Sequence, residues 1–209
     1  SLLVFAYQMI LILVLGNILV LSPIFKHLIN NLTKKINSSS KAVVILSSLS
    51  MLTSFFNWGL GLIFGAIFAR KIGEHCSKNK IPINYPMIGA AGYVGLMIWH
   101  GGISGSAPIK VSEINHIYNL MNGISSSEGL ALLPEKISFE ETVLSSSNLL
   151  TYLAIFVIIP LTFWIINKNL RPTNFAFECY EESNKFIPEN KSKIGLEIDQ
   201  SKIIGFVFG

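Results

Sequence analysis

Charge is what this sequence has least of. Only 13% of its 209 residues are charged, against 51% hydrophobic, and the mean hydropathy is +0.54, whereas a soluble domain carries about 25% charged residues. An ordinary water-soluble fold is disfavoured and lipid becomes the expected solvent. Cysteine is nearly absent too. Cys76 and Cys179 stand far apart, with no C-x-x-C pair and no histidine at zinc-ligand spacing, so neither a disulfide framework nor a metal site is indicated and free thiols are expected. The hydrophobic stretches hold no H-E-x-x-H, no Ser-His-Asp arrangement and no aspartate pair, which argues against a membrane-embedded enzyme. The formal charge of +4 does not mark a nucleic-acid partner, because the basic residues flank apolar runs and form no aromatic-basic surface pattern. They read as topology signals.

What is present is a series of uncharged runs, all α-helical by length and composition. Residues 2–21 form a spanning helix in which Gln8, Gly16 and Asn17 are the unusual members, and Pro23 ends it. The connector to Lys41 carries Lys26, Lys34, Lys35 and Lys41 and no acid, so it is expected on the cytoplasmic side. The next run ends on Arg70 and Lys71, with Lys78 and Lys80 beyond. A single crossing would put two basic connectors on opposite faces. A re-entrant hairpin over residues 42–71, turning at Asn57-Trp58-Gly59, places both inside. Its arms of about 12 to 14 residues would reach about 20 Å into a core about 30 Å thick.

Residues 86–109 read as a broken membrane helix, apolar up to Trp99 and then rich in glycine and serine from His100 to Pro108. An acidic connector, 110–148, is placed outside. Residues 149–166 return inward with Pro160 as an expected kink, and Lys168 and Arg171 lie at the exit. Together, 1–166 form the membrane domain, 167–202 a polar cytoplasmic connector, and 203–209 the start of a further membrane helix. Ser1 opens inside a hydrophobic run and the chain closes on that short apolar stretch, so it reads as a piece of a longer polypeptide.

Two stretches offer binding chemistry at membrane depth. Asn57, Trp58 and Gly59 supply an amide, an indole N–H and a flexible backbone, although a kink followed by a Gly61/Gly65 packing face would need the same residues. Gly101, Gly102, Ser104, Gly105 and Ser106 supply backbone groups and hydroxyls, with half-helix dipoles aimed at the gap. An extramembrane Gly-Ser loop is the plainer alternative. Asn57, Ser104 and Ser106 could between them ligate a sodium ion, and His100 could carry a proton or be an ordinary interfacial side chain. No metal beyond such a coupling ion, and no other cofactor, is expected.

The block F-N-W-G-L-G-L-I-F-G-A-I-F-A-R from Phe56 to Arg70 and the block Y-P-M-I-G-A-A-G-Y-V-G-L-M-I-W-H-G-G-I-S-G-S-A-P-I from Tyr85 to Ile109 resemble the short-chain fatty acid transporter family. Gln8, Thr142, Ser145 and Asn148 extend the likeness. The family is similar to the ion transporter superfamily, in which two inverted repeats each hold a re-entrant hairpin and a broken helix. The resemblance therefore implies one repeat of an all-α secondary transporter in the cytoplasmic (inner) membrane. It also implies symport of a short-chain monocarboxylate, such as butyrate or acetoacetate, with a proton or sodium ion. The partners would be that substrate, membrane lipid and a second repeat, with homodimerisation open. The hairpin tip and the Gly-Ser loop would bind the carboxylate, and Trp58, Trp99 and Tyr93 would wall its tail. The family commonly has glycine where this chain has His100, which removes family support for a proton role there. A proton or sodium antiporter on the same scaffold is the alternative.

Overall fold

The computed structural model describes residues 2–20, 22–124, 129–130 and 132–173. Regular structure among them is entirely helical: α1 (Leu2–Val20), α2 (Pro23–Lys34), α3 (Ser39–Phe56), α4 (Trp58–Lys78), α5 (Tyr85–Tyr93), α6 (Leu96–Trp99), α7 (Ser106–Ser112), α8 (His116–Met121) and α9 (Ser146–Asn169). The connector expected over 167–202 lies outside the described residues from 174 onward, as does the stretch 203–209.

Local sequence sets most of the boundaries. Ser38, Asn57, Asn84 and Ser145 each sit in extended backbone and accept an N–H three residues on, capping α3, α4, α5 and α9. Such caps satisfy amides that have no intrahelical partner. Pro23 opens α2, where its missing N–H costs nothing. Helix α9 continues through Pro160.

Asn57 is the single residue between α3 and α4. Its φ of −152° and ψ of 120° are extended, and the chain doubles back there. Ser54 packs into the space a Gly61 side chain would take, and Ser50 stands against Gly65. Partners that move backward along α3 as they advance along α4 define an antiparallel hairpin. Gly61, Gly65, Ala69 and Gly73 recur every four residues on the buried side of α4. Helix α5 and the start of α6 cross the same seam, with Gly92 on the Gly65 backbone and Gly95, just before α6, on the Ser50 backbone and the Ser54 hydroxyl. Between membrane helices there is no hydrophobic driving force of the aqueous kind, so close approach through small residues is how helices gain attraction. The Ser50 and Ser54 hydroxyls are fully buried in this seam, without a hydrogen-bond partner among the described residues. Above and below it pack Leu46, Phe64, Phe68, Ile72 and Ile88, all at 1% exposure or less.

Two expectations need correction. The hairpin arms are 18 and 21 residues, about 27 and 31 Å, not 12 to 14 residues, because the uncharged run is helical beyond both its ends. The connector after α1 contains the helix α2, inclined at 65° to the preceding segment. Its amphipathic pattern, Phe25, Ile29 and Leu32 on the core with Lys26, Asn30 and Lys34 exposed, is short and is masked by its lysines.

The long helix α9 ties the two ends of the hairpin together. At the open end Ser39 Oγ donates to Asn167 Oδ1 at 2.9 Å and Asn167 Nδ2 to Ser40 Oγ at 3.2 Å. At the closed end Asn148 Nδ2 donates to Gly101 O at 3.0 Å. Helix α9, of 24 residues, thus runs antiparallel to the 18 residues of α3 over its whole length.

Candidate functional site

The turn at Asn57 and the interruption after α6 meet in space. Six residues, 100–105, separate α6 from α7, and they fold back on the end of α3: Ile103 N donates to Phe55 O at 2.8 Å. Gly102 lies so close to that carbonyl that a Cβ would strike it. Gly105 stands likewise against the His100 carbonyl, and Gly101 against the Tyr152 ring. These glycines exist for approach, not for loop flexibility.

Ser104 is the link. Its hydroxyl accepts from Trp58 N at 3.1 Å, while its carbonyl accepts from Trp99 Nε1 at 3.0 Å. The two indole rings pack at 5.4 Å between centroids and 40°. Asn57 Oδ1 is occupied as the cap of Leu60 N at 3.0 Å, which leaves its amide NH₂ as the available donor. Since the Ser104 oxygen is used as an acceptor, its O–H is likewise available. Asn57, Trp58 and Ser104 are each partly exposed. A small anion can therefore meet neutral donors here, beside aromatic carbon. No Asp, Glu, Lys or Arg occurs in 42–69, 81–109 or 142–167, so these segments themselves offer neutral donors and no ion pair.

Not every expected residue joins the cluster. Gly59 faces α1, where a side chain would collide with Ile12, so its role in the fold is packing. Ser106 opens α7 and is exposed. Tyr93 is 64% exposed and on α5, and among the described residues it makes no ring contact with Trp58 or Trp99, which pair with each other. His100 stacks on Trp99 at 4.3 Å, and its ring is placed by that contact. Tyr152 and Phe55, which shape the loop from behind, carried no motif in the sequence. The Ser47-Ser50-Ser54 spacing of one helix face was a readable signal for the buried hydroxyls.

Two helices, Ser39–Phe56 and Ser146–Asn169, are long and apolar enough to cross a membrane, and the bent pair Met9–Leu19 with Pro23–Lys34 passes the same test together. With apolar side chains exposed along α1 and α9, these helices make the molecule an integral membrane protein. The chain belongs to the short chain fatty acid transporter family, whose model matches residues 1–208; the family is one of transporters, not enzymes. Two curated relatives carry the name "Putative short-chain fatty acid transporter". The Haemophilus influenzae protein is 29% identical over 171 residues, 81% of this chain and 36% of that protein. The Escherichia coli K12 protein is 29% identical over 160 residues, 77% and 33% respectively. The chain thus spans about a third of the length of the relatives it matches. No solved structure matches it.

Proposed function

We propose that this chain supplies the first repeat of a carrier that moves short monocarboxylates, of the butyrate or acetoacetate kind, across the bacterial inner membrane. The observation that carries the reading is the Trp58 N to Ser104 Oγ hydrogen bond, which holds the hairpin turn and the broken helix at one place. Their spare donors, the Asn57 amide and the Ser104 hydroxyl, match a carboxylate, and the paired indoles match a tail of few carbons. Backbone departs from helix at membrane depth only where it is buried in protein or lines a polar cavity, which is what a binding site for a small anion requires. The neutral donor set suits a carboxylate that enters with a cation, and a sodium ion or proton bound beside Asn57 and Ser104 would serve. The positive-inside rule then puts the open end of the hairpin, with Lys34 and Lys78, in the cytoplasm, and the hairpin enters and leaves by that face. Alternating access would need the second repeat of the full-length chain.

Counterflow of labelled butyrate into vesicles holding the full-length protein is the test. Accumulation that unlabelled butyrate drives, and that Asn57→Ala or Ser104→Ala lowers, supports carriage. Sodium or proton exchange with no butyrate movement would assign an antiporter instead.

A further inference from the structure

Beyond transport, the open end of the hairpin, which the proposed topology places in the cytoplasm, carries a basic pocket. Helix α2 has three faces. Phe25, Ile29 and Leu32 pack on the hydrophobic core, with Phe25 edge-on to Phe64 at 6.3 Å. One strip to the side, Ile24 is 80% and Leu28 is 45% exposed, one turn apart, as an interfacial helix presents to acyl chains. The third face meets the last turns of α4 in an open pocket of about 290 Å³ whose lining includes Thr33, Lys34, Lys71, Glu74 and Lys78.

The charges there do not balance. Three ammonium groups, of Lys34, Lys71 and Lys78, line the pocket with one carboxylate. Glu74 is already engaged, by Arg70 at 3.0 Å and Lys71 at 3.1 Å. Burial raises its pKa, but hydrogen bonds from Lys71 and Arg70, with their charges, outweigh that and hold the carboxyl below its usual range. Neither Lys34 nor Lys78 has an acidic partner among the described residues. Each complements the C-terminal dipole of its own helix. What the fold adds is that both helix ends open into one concavity, so the two unpaired ammonium groups share it.

We infer that this pocket binds a phosphate-bearing anion. Phosphate offers several acceptor oxygens and negative charge to converging ammonium donors. Basic pockets between helices at the cytoplasmic boundary take phospholipid headgroups in this way. A small soluble phosphate has the same chemistry, and the experiment separates the two sources.

The full-length protein in detergent micelles is titrated with phosphatidylglycerol, phosphatidylcholine and glycerol 3-phosphate, and the melting temperature is followed. Phosphatidylglycerol should raise it saturably and phosphatidylcholine should not. The pair Lys34→Gln with Lys78→Gln should raise the half-saturating concentration about thirtyfold, from the typical worth of two lysines near an anionic surface. Lys34→Arg with Lys78→Arg should retain binding. The pair Lys41→Gln with Lys136→Gln, an equal loss of charge elsewhere, should also retain it. If the glutamine pair does not fold, Lys34→Gln alone should still give about a fivefold loss. Glycerol 3-phosphate reproducing the shift assigns the soluble source, and phosphatidylglycerol acting alone assigns the lipid. The inference is overturned if neither ligand shifts the transition, or if the Lys34 and Lys78 variants respond like the parent.

Discussion

Ser104 Oγ accepts the backbone N–H of Trp58 at 3.1 Å across 46 positions of sequence, and this bond joins the first residue of α4 to the six-residue segment between α6 and α7. Trp58 N is one of the first amides of α4, so it has no partner within its own helix. Ser104→Ala deletes its acceptor and a hydroxyl that can donate to substrate. Uptake by the full-length protein should fall about tenfold to a hundredfold, the usual worth of a charge-assisted hydrogen bond. Ser146→Ala, at the start of α9, serves as control. Equal uptake by Ser104→Ala and the parent would remove Ser104 from the site.

Asn57 has two functions that substitution can separate. Its Oδ1 caps α4 through Leu60 N, a contact whose loss costs about 1 kcal/mol, while its NH₂ is the proposed donor. Asn57→Ala should lose both stability and uptake. Asn57→Ser keeps a capping oxygen, so its melting temperature should stay near the parent while uptake still falls. A serine variant that transports normally would leave Asn57 as a cap alone.

Two glycines on adjacent helices should respond in opposite ways to a single methyl group. A Cβ at Gly65 would run into the Gly92 backbone and reach the Ser50 hydroxyl, whereas at Gly89 nothing lies within 4 Å. Gly65→Ala should destabilise the fold by about 1 to 3 kcal/mol through overpacking. Gly89→Ala, inside α5, should be neutral or stabilising by up to about 1 kcal/mol. Thermal unfolding in micelles measures both, and a tolerated Gly65→Ala would refute the glycine seam.

Lys34 and Lys78 line one pocket, so no membrane can separate them, and both should face the cytoplasm. Cysteines placed at 34 and 78 in a background lacking Cys179 should be inaccessible to an impermeant maleimide in intact cells and should both react in inside-out vesicles. Native Cys76 should stay silent, because it is fully buried and burial pushes its thiol up to about 11. Labelling of one engineered site and not the other in intact cells would contradict the packing of α2 on α4.

Much of this arrangement was legible in one dimension. The uncharged runs marked α1, α3 and α9, which supply the helices long and apolar enough to cross a membrane, and the run over 42–69 marked a chain that doubles back at Asn57. Asn57 and the glycines after Trp99 marked the two interruptions, since an Asn cap and a glycine cluster inside apolar runs have few other uses. The arms outrun the uncharged stretch because charge marks where apolar sequence ends, whereas a helix continues through Lys71, Glu74 and Lys78 as long as its backbone bonds are made. Helix α2 was missed for a related reason: twelve residues with two lysines give a weaker signal than the spans on either side.

Sequence alone determined the solvent, the membership of a transporter family and the places where helices break, because each is fixed by composition or by residues a few positions apart. Only the tertiary structure decided which interrupted segments touch. That Ser104 meets Trp58 and that Gly59 lies against Ile12 of α1 follow from close approach at glycines, and that Lys34 shares a cavity with Lys78 follows from the packing of α2 on the core through Phe25, Ile29 and Leu32. Distances between residues far apart in sequence are set by how helix surfaces fit together, and no local pattern encodes that fit.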